Sequence, residues 1–178
     1  MQPAVEQLLR SHIRLIDDWP AVGVKFQDLT GLMADGPAFS AVIRELNSGL
    51  GTEDIDQVVG IEARGFPYGA ALANSRGAGF ITARKPGKLP GAVHALEYEL
   101  EYGTATLELH QDALGPERRV VIVDDVLATG GTAGACIDLV RRSGAEIVAL
   151  MVIMEIGFLN GRERITERGV PVIALLSA

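Results

Sequence analysis

The stretch Val120 to Ala135, VVIVDDVLATGGTAGA, constrains the fold of this chain more than any other. Val120 to Val123 is an unbroken run of β-branched residues, the pattern of a strand buried on both faces of a parallel sheet, so an α/β architecture with helices on both sides follows. Asp124 and Asp125 then fall at the carboxyl end of that strand, the edge where open α/β sheets bind ligands. Ala128, Thr129, Gly130, Gly131 and Thr132 come next, a small-residue loop that opens a helix. Glycines there let backbone N–H groups approach an anion, the threonines add hydroxyl donors, and the positive end of the helix dipole faces the same way. A phosphate monoester suits such a cup. Two carboxylates repel the same phosphate, so their partners are hydroxyl donors nearby, as at the 2′ and 3′ positions of a ribose. The spacing is neither a Walker P-loop nor GxGxxG. An ordinary strand, turn and threonine-capped helix explains the glycines and Thr132, but not adjacent carboxylates at a strand tip.

With 178 residues, 48% of them hydrophobic, the chain is long enough for one α/β domain, and no linker or repeat divides residues 1–178. Its net charge of -7 argues against nucleic acid as the main partner, because binding a phosphate backbone requires a basic face. An anionic substrate must therefore be met by local cations. The single cysteine, Cys136, falls on the apolar side of the helix after ATGGT and reads as packing. No stretch has the length and apolarity of a membrane span and no export signal is visible, so the expected location is cytoplasmic, away from membranes.

Along the chain, Val5, Leu8, Leu9, His12, Ile13 and Ile16 follow helical spacing and predict an amphipathic helix that stops before Trp19 and Pro20. A second helix is expected from Pro37, with Phe39, Val42, Ile43, Leu46 and Leu50 on one face and its end near Gly49 and Gly51. Gln57 to Ile61 reads as the first core strand, a small-residue helix runs through Ala73, and Gly79 to Ala83 is the next strand, a βαβ unit. Residues 84–91, RKPGKLPG, have loop composition, and 94–110 alternate like an antiparallel pair turning near Gly103. The core resumes with the strand at Val120, a helix over 131–143 and strands at Ile147 to Met154 and Val172 to Leu176, giving a mostly parallel sheet.

Loops after successive parallel strands gather at one sheet edge, so the turn Glu62 to Phe66 is expected to face ATGGT, with the Arg64 guanidinium available to a second phosphate. Arg84, Lys85 and Lys88 lie among prolines and glycines, the composition of a flap that closes on a polyanion, although charge clusters are commonly just solvated. In Gly23 to Thr30, GVKFQDLT, an aromatic such as Phe26 is more often core than ligand contact, and the residues alone leave both readings open.

Together these segments resemble a known family. VVIVDDVLATGGT is similar to the phosphoribosyl-pyrophosphate motif of the type I phosphoribosyltransferases, and GIEARGF, ARKPGKLPG, LEYELEYGTATLELH and GVKFQDLT in the same chain resemble its adenine-specific members. The resemblance covers nearly the whole chain. It implies a mainly parallel sheet flanked by helices with a flexible antiparallel hood over 84–110, an amino-terminal base-binding segment over 1–35, and a homodimer. The implied reaction converts adenine and phosphoribosyl pyrophosphate to AMP and pyrophosphate with magnesium (Mg2+), the ion held through pyrophosphate and ribose hydroxyls rather than by protein ligands. By the same resemblance, Asp124 and Asp125 hold the ribose hydroxyls and Ala128 to Thr132 the 5-phosphate, while Arg64, Arg84, Lys85 and Lys88 meet the pyrophosphate. Glu101 is the implied general acid/base near the purine, with Tyr102 closing the flap. Phe26 and Val126 sandwich adenine, and the backbone at Lys25 reads its edge. Two positions depart from the family pattern: Gln27 stands where many members have arginine, and Ala63 where serine is common. Rival readings keep the fold with another base, xanthine, hypoxanthine or orotate, or make the chain a sensor that binds phosphoribosyl pyrophosphate without turnover.

Overall fold

The computed structural model describes residues 3–19, 21–99 and 103–178. Helix α1 (Pro3–Ser11) leads into a hairpin of β1 (Arg14–Asp17) and β2 (Lys25–Asp28), and then into α2 (Thr30–Ala34) and α3 (Gly36–Leu50). The first βαβ unit is β3 (Gln57–Ile61), α4 (Gly65–Arg76) and β4 (Gly79–Ala83). An antiparallel pair, β5 (Val93–Glu99) and β6 (Thr104–His110), follows. The chain closes with β7 (Arg119–Leu127), α5 (Gly131–Arg142), β8 (Glu146–Glu155), a 3-10 turn at Gly157–Leu159, α6 (Gly161–Thr166) and β9 (Val172–Ser177).

Among the described residues the central sheet has five strands, parallel as the hydrophobic runs imply, in the order β4-β3-β7-β8-β9. Strand alternation sorts the core into two apolar layers. Val58, Val121, Val123, Met151 and Ile153 face α1 to α4, whereas Val59, Ile61, Val120, Ile122, Leu150 and Val152 face α5, α6 and the inner side of β6. Cys136 is fully buried in the second layer, in keeping with a packing role. Helix α3 starts where Asp35 accepts a 2.8 Å hydrogen bond from the Ala38 N–H, with proline in its first turn, and ends at Gly51.

Three expectations are revised. The first helix ends at Ser11, and Ile16, expected on its face, lies in β1 opposite Phe26. Ser11 and His12 both bond the Leu8 carbonyl (2.7 and 2.9 Å), competing with continuation of the helix, and Arg14 is drawn to Asp28 on β2. The strand seen as Val120 to Val123 runs on to Leu127. It loses its β3 neighbour after Val123 but stays paired with β8 to Glu155, so the two aspartates lie in a half-free overhang rather than beyond the strand. The short helices α2 and α6 and the 3-10 turn were not expected, being too brief to show a periodic apolar face.

Candidate active site

In the strand order β4-β3-β7-β8-β9 the chain leaves β3 toward one sheet edge and β7 toward the other, so the topological switch point lies between β3 and β7. A cavity of about 360 Å³ opens there. One wall is the β3–α4 turn, with Glu62, Ala63 and Arg64; the opposite wall is Asp124 to Leu127, and the floor is the loop Ala128 to Thr132. Lys85 reaches in from the loop after β4.

The loop from Ala128 to Thr132 forms a cup at the start of α5. Gly130, at φ 80°, is the N-terminal cap of α5 in a conformation that side chains disfavour, and its carbonyl accepts the Gly134 N–H at 2.8 Å. Behind the cup, α6 packs backbone against backbone: a Cβ on Gly161 would lie 2.1 Å from the Ala128 carbonyl oxygen. Arg164 of the same helix donates to the Thr129 carbonyl at 3.2 Å.

Alternation along β7 separates the two carboxylates. Asp125 continues the series of Val121 and Val123 toward α4, where the Arg64 guanidinium pairs with it. Asp124 continues the other series, and its charge helps burial push the Cys136 thiol of α5 up. Asp124 is only partly exposed in the wall, and its carboxyl is held well above the usual carboxylate range, by burial first and by the neighbouring Asp125 charge second. Each aspartate also accepts the following backbone N–H at 2.8 Å, which fixes both carboxylates relative to the strand.

Close approach holds the facing turn in place. A Cβ on Gly65 would lie 2.4 Å from the Val123 carbonyl oxygen and 3.1 Å from the Asp124 Cα, so only glycine lets α4 start this near the strand tip. The Glu62–Ala63 peptide is cis. Burial raises the Glu62 carboxyl, but the Lys85 N–H at 2.8 Å and the Arg84 guanidinium at 3.2 Å together hold it below its ordinary value.

The chain matches the phosphoribosyl transferase domain over residues 33–171. A protein from Chloroflexus aurantiacus named adenine phosphoribosyltransferase is 49% identical over 170 residues, covering 96% of this chain and 97% of that one. The chain belongs to the adenine phosphoribosyltransferase family. Solved adenine phosphoribosyltransferases agree in fold: the Thermoanaerobacter pseudethanolicus enzyme superposes with a TM-score of 0.93 at 43% identity, covering 98% of this chain and 99% of that one. The Saccharomyces cerevisiae enzyme, complexed with D-2,5-dideoxy-2,5-imino-altritol 1,6-bisphosphate and adenine, has a TM-score of 0.91 at 34% identity, covering 98% and 100%.

Most residues singled out from the sequence share this one cavity: Arg64, Lys85, Asp124, Asp125, Val126 and all five of Ala128 to Thr132 line it. Phe26 stands beside it on the hairpin, with the Arg64 guanidinium 5.3 Å over its ring and Trp19 edge-on at 4.4 Å. Lys25 is exposed on the same strand, paired in register with Asp17. Arg84 and Lys88 are placed differently. Arg84 is turned to Glu62 and lies 5.8 Å over Phe66, while Lys88 is exposed and offers its carbonyl to Arg84 at 3.3 Å. Glu101 and Tyr102 lie outside the described residues. Sequence reading gave no role to Glu62, whose partners Arg84 and Lys85 come from a loop distant in sequence and meet it only in the fold. Nor did it find the Arg14–Asp28 pair, since cross-strand partners appear only once the hairpin is drawn.

Proposed function

We propose that this cavity transfers the 5-phosphoribosyl group of phosphoribosyl pyrophosphate to adenine, releasing AMP and pyrophosphate. A single observation carries the reading: an anion cup at a helix start, two carboxylates on one strand overhang and an arginine-bearing turn face each other across about 360 Å³. In this reading Ala128 to Thr132 receive the 5-phosphate and Asp124 and Asp125 orient the ribose hydroxyls. Arg64, once it exchanges Asp125 for substrate, meets the pyrophosphate together with Lys85, and Arg84 and Lys88 join as the hood closes. The purine lies between Phe26 and Val126, with its edge read by the backbone at Lys25. A bond forms from N9 of adenine to C1 of the ribose as the bond from C1 to pyrophosphate breaks, and the purine gives up its N9 proton. Positive charge develops on the ribose and negative charge on the leaving group, so preset cations stabilise the transition state more than the ground state. Glu101 is assigned the proton traffic at the purine, worth about a hundredfold to ten-thousandfold for such a group.

Among the described residues no group of three or more His, Cys, Asp or Glu side chains is arranged to hold a metal ion. A hard cation that keeps its waters and enters on substrate oxygens fits this wall, where Asp124 and Asp125 act on it only through the ribose hydroxyls they hold. Magnesium held in that way would supply positive charge against the charge developing on pyrophosphate. No helix among the described residues is long and apolar enough to cross a membrane. A cytoplasmic homodimer is the assembly and location that the family resemblance favours.

The test is product formation from phosphoribosyl pyrophosphate and magnesium with adenine, hypoxanthine, guanine, xanthine or orotate, with and without EDTA. AMP from adenine alone, lost with EDTA, is the expected result. Nucleotide from another base would move the specificity, and binding without any product would make the chain a sensor.

A further inference from the structure

Strand β5 of the hood lies along α5 of the core rather than projecting freely from it. At one end Arg142, in the last turn of α5, donates to the Ala95 carbonyl at 3.2 Å. At the other end the strand meets the first turn of the same helix: a Cβ on Gly131 would lie 2.9 Å from the Glu99 carbonyl oxygen and 3.8 Å from the Tyr98 ring. Alternation turns Leu96 and Tyr98 inward, where both pack against the second apolar layer, and leaves Ala95, Glu97 and Glu99 exposed. The Tyr98 hydroxyl thereby comes within 3.3 Å of Thr132 Oγ1, a member of the anion cup.

From this geometry we propose that Tyr98 is a positioning residue that couples the 5-phosphate cup to the hood; the proposal rests on ATGGT being the 5-phosphate site. The Thr132 hydroxyl has one proton. When that proton goes to a phosphate oxygen, the Thr132 oxygen becomes a better acceptor, and the Tyr98 hydroxyl donates to it in a two-bond chain in which each bond strengthens the other. The 3.3 Å separation, long for a hydroxyl pair, shortens as that chain forms. Phosphate in the cup then tethers the end of β5, three residues before Glu101, so the leading edge of the hood is set by the sugar phosphate before the base arrives.

Amide hydrogen exchange across residues 93–99 tests the proposal, with ribose 5-phosphate as the probe and its binding followed in parallel by calorimetry. In the wild-type chain ribose 5-phosphate is expected to slow exchange there several-fold. Tyr98→Phe, which keeps the ring and its packing, is expected to bind the probe about three- to tenfold more weakly, the loss of one neutral hydrogen bond, and to show no slowing even at saturation. Its KM for phosphoribosyl pyrophosphate should rise by the same factor while its KM for adenine stays put. Equal slowing in wild type and Tyr98→Phe at saturation overturns the coupling and leaves the cup intact. Failure of the wild-type chain to bind ribose 5-phosphate overturns the reading of the cup itself, and the coupling with it.

Discussion

Asp124 places its carboxyl where the fold least favours a charge, enclosed by strand tips and next to a second carboxylate. Its carboxyl titrates above the ordinary value near 3.9 that an unfolded chain has. A group raised in this way adds its full stability below the unfolded value and loses it as pH rises through the folded one. Ionising Asp124 therefore works against folding. Asp124→Asn keeps the shape and the acceptor for the Asp125 N–H. It is expected to raise Tm at pH 7, with a gain that shrinks as the pH falls toward 4, and to lower kcat/KM for phosphoribosyl pyrophosphate. The loss should be about ten- to a hundredfold, since a hydrogen bond to a charged group is worth about 1.5–3 kcal/mol. Melting curves across pH beside steady-state kinetics check both halves, and an unchanged Tm would mean that the charge costs nothing. The position of this pair was legible because a β-branched run ending in two acids has few other readings. That the two point toward different layers was not, because it depends on how far β7 outruns β3.

At the scale of elements, the β1–β2 hairpin shows most clearly what periodicity misses. Ile13 and Ile16 fit a helical face, yet Ile16 lies in β1, and the choice is made by Asp28 on the facing strand, which sequence spacing does not bring near Arg14. Asp28 is almost fully buried, and its carboxyl is held below the usual range by the Thr30 N–H, then by the Thr30 hydroxyl, with Arg14 adding to both. A carboxylate depressed in this way adds stability above its unfolded value near 3.9, and that stability is lost as pH falls through the lower folded value. Acid should thus loosen the hairpin, and Arg14→Met should move that loosening to higher pH. The natural probe is Trp19, the only tryptophan in the chain, edge-on to Phe26 at 4.4 Å. Its emission is expected to report the acid transition and to change when adenine stacks on Phe26. Trp19→Leu should raise the KM for adenine about three- to tenfold, as expected for an aromatic pair worth about 0.5–1.5 kcal/mol, and leave that for phosphoribosyl pyrophosphate alone. Arg64, 5.3 Å over Phe26, puts positive charge beside the same pair of rings, where the neighbouring Gln27 has none.

Across the whole molecule, the parallel sheet was legible because buried strands, glycine-rich turns and small-residue helices alternate along the chain, whereas the strand order that sets its switch point was not. Nor was the bracing of the anion cup by α6, since a six-residue helix has no period to read and its contact is backbone on backbone. The same architecture makes the site a joint between halves of the molecule. Arg64 leads into α4 on one face of the sheet, the cup opens α5 on the other, and the cavity at the tips of β3 and β7 is lined from both. A ligand that spans the cavity therefore binds neither layer alone, and its binding energy should act on the unfolding of both. AMP at a hundred times its Kd is expected to add about 2.7 kcal/mol, and at 2–4 °C per kcal/mol for a chain of this size to raise Tm by roughly 5 to 10 °C, in one cooperative transition. Differential scanning calorimetry with and without AMP makes the check. A transition that splits, with one half moving and the other fixed, would show that the ligand grips a single layer, the one that moves, rather than spanning the cavity.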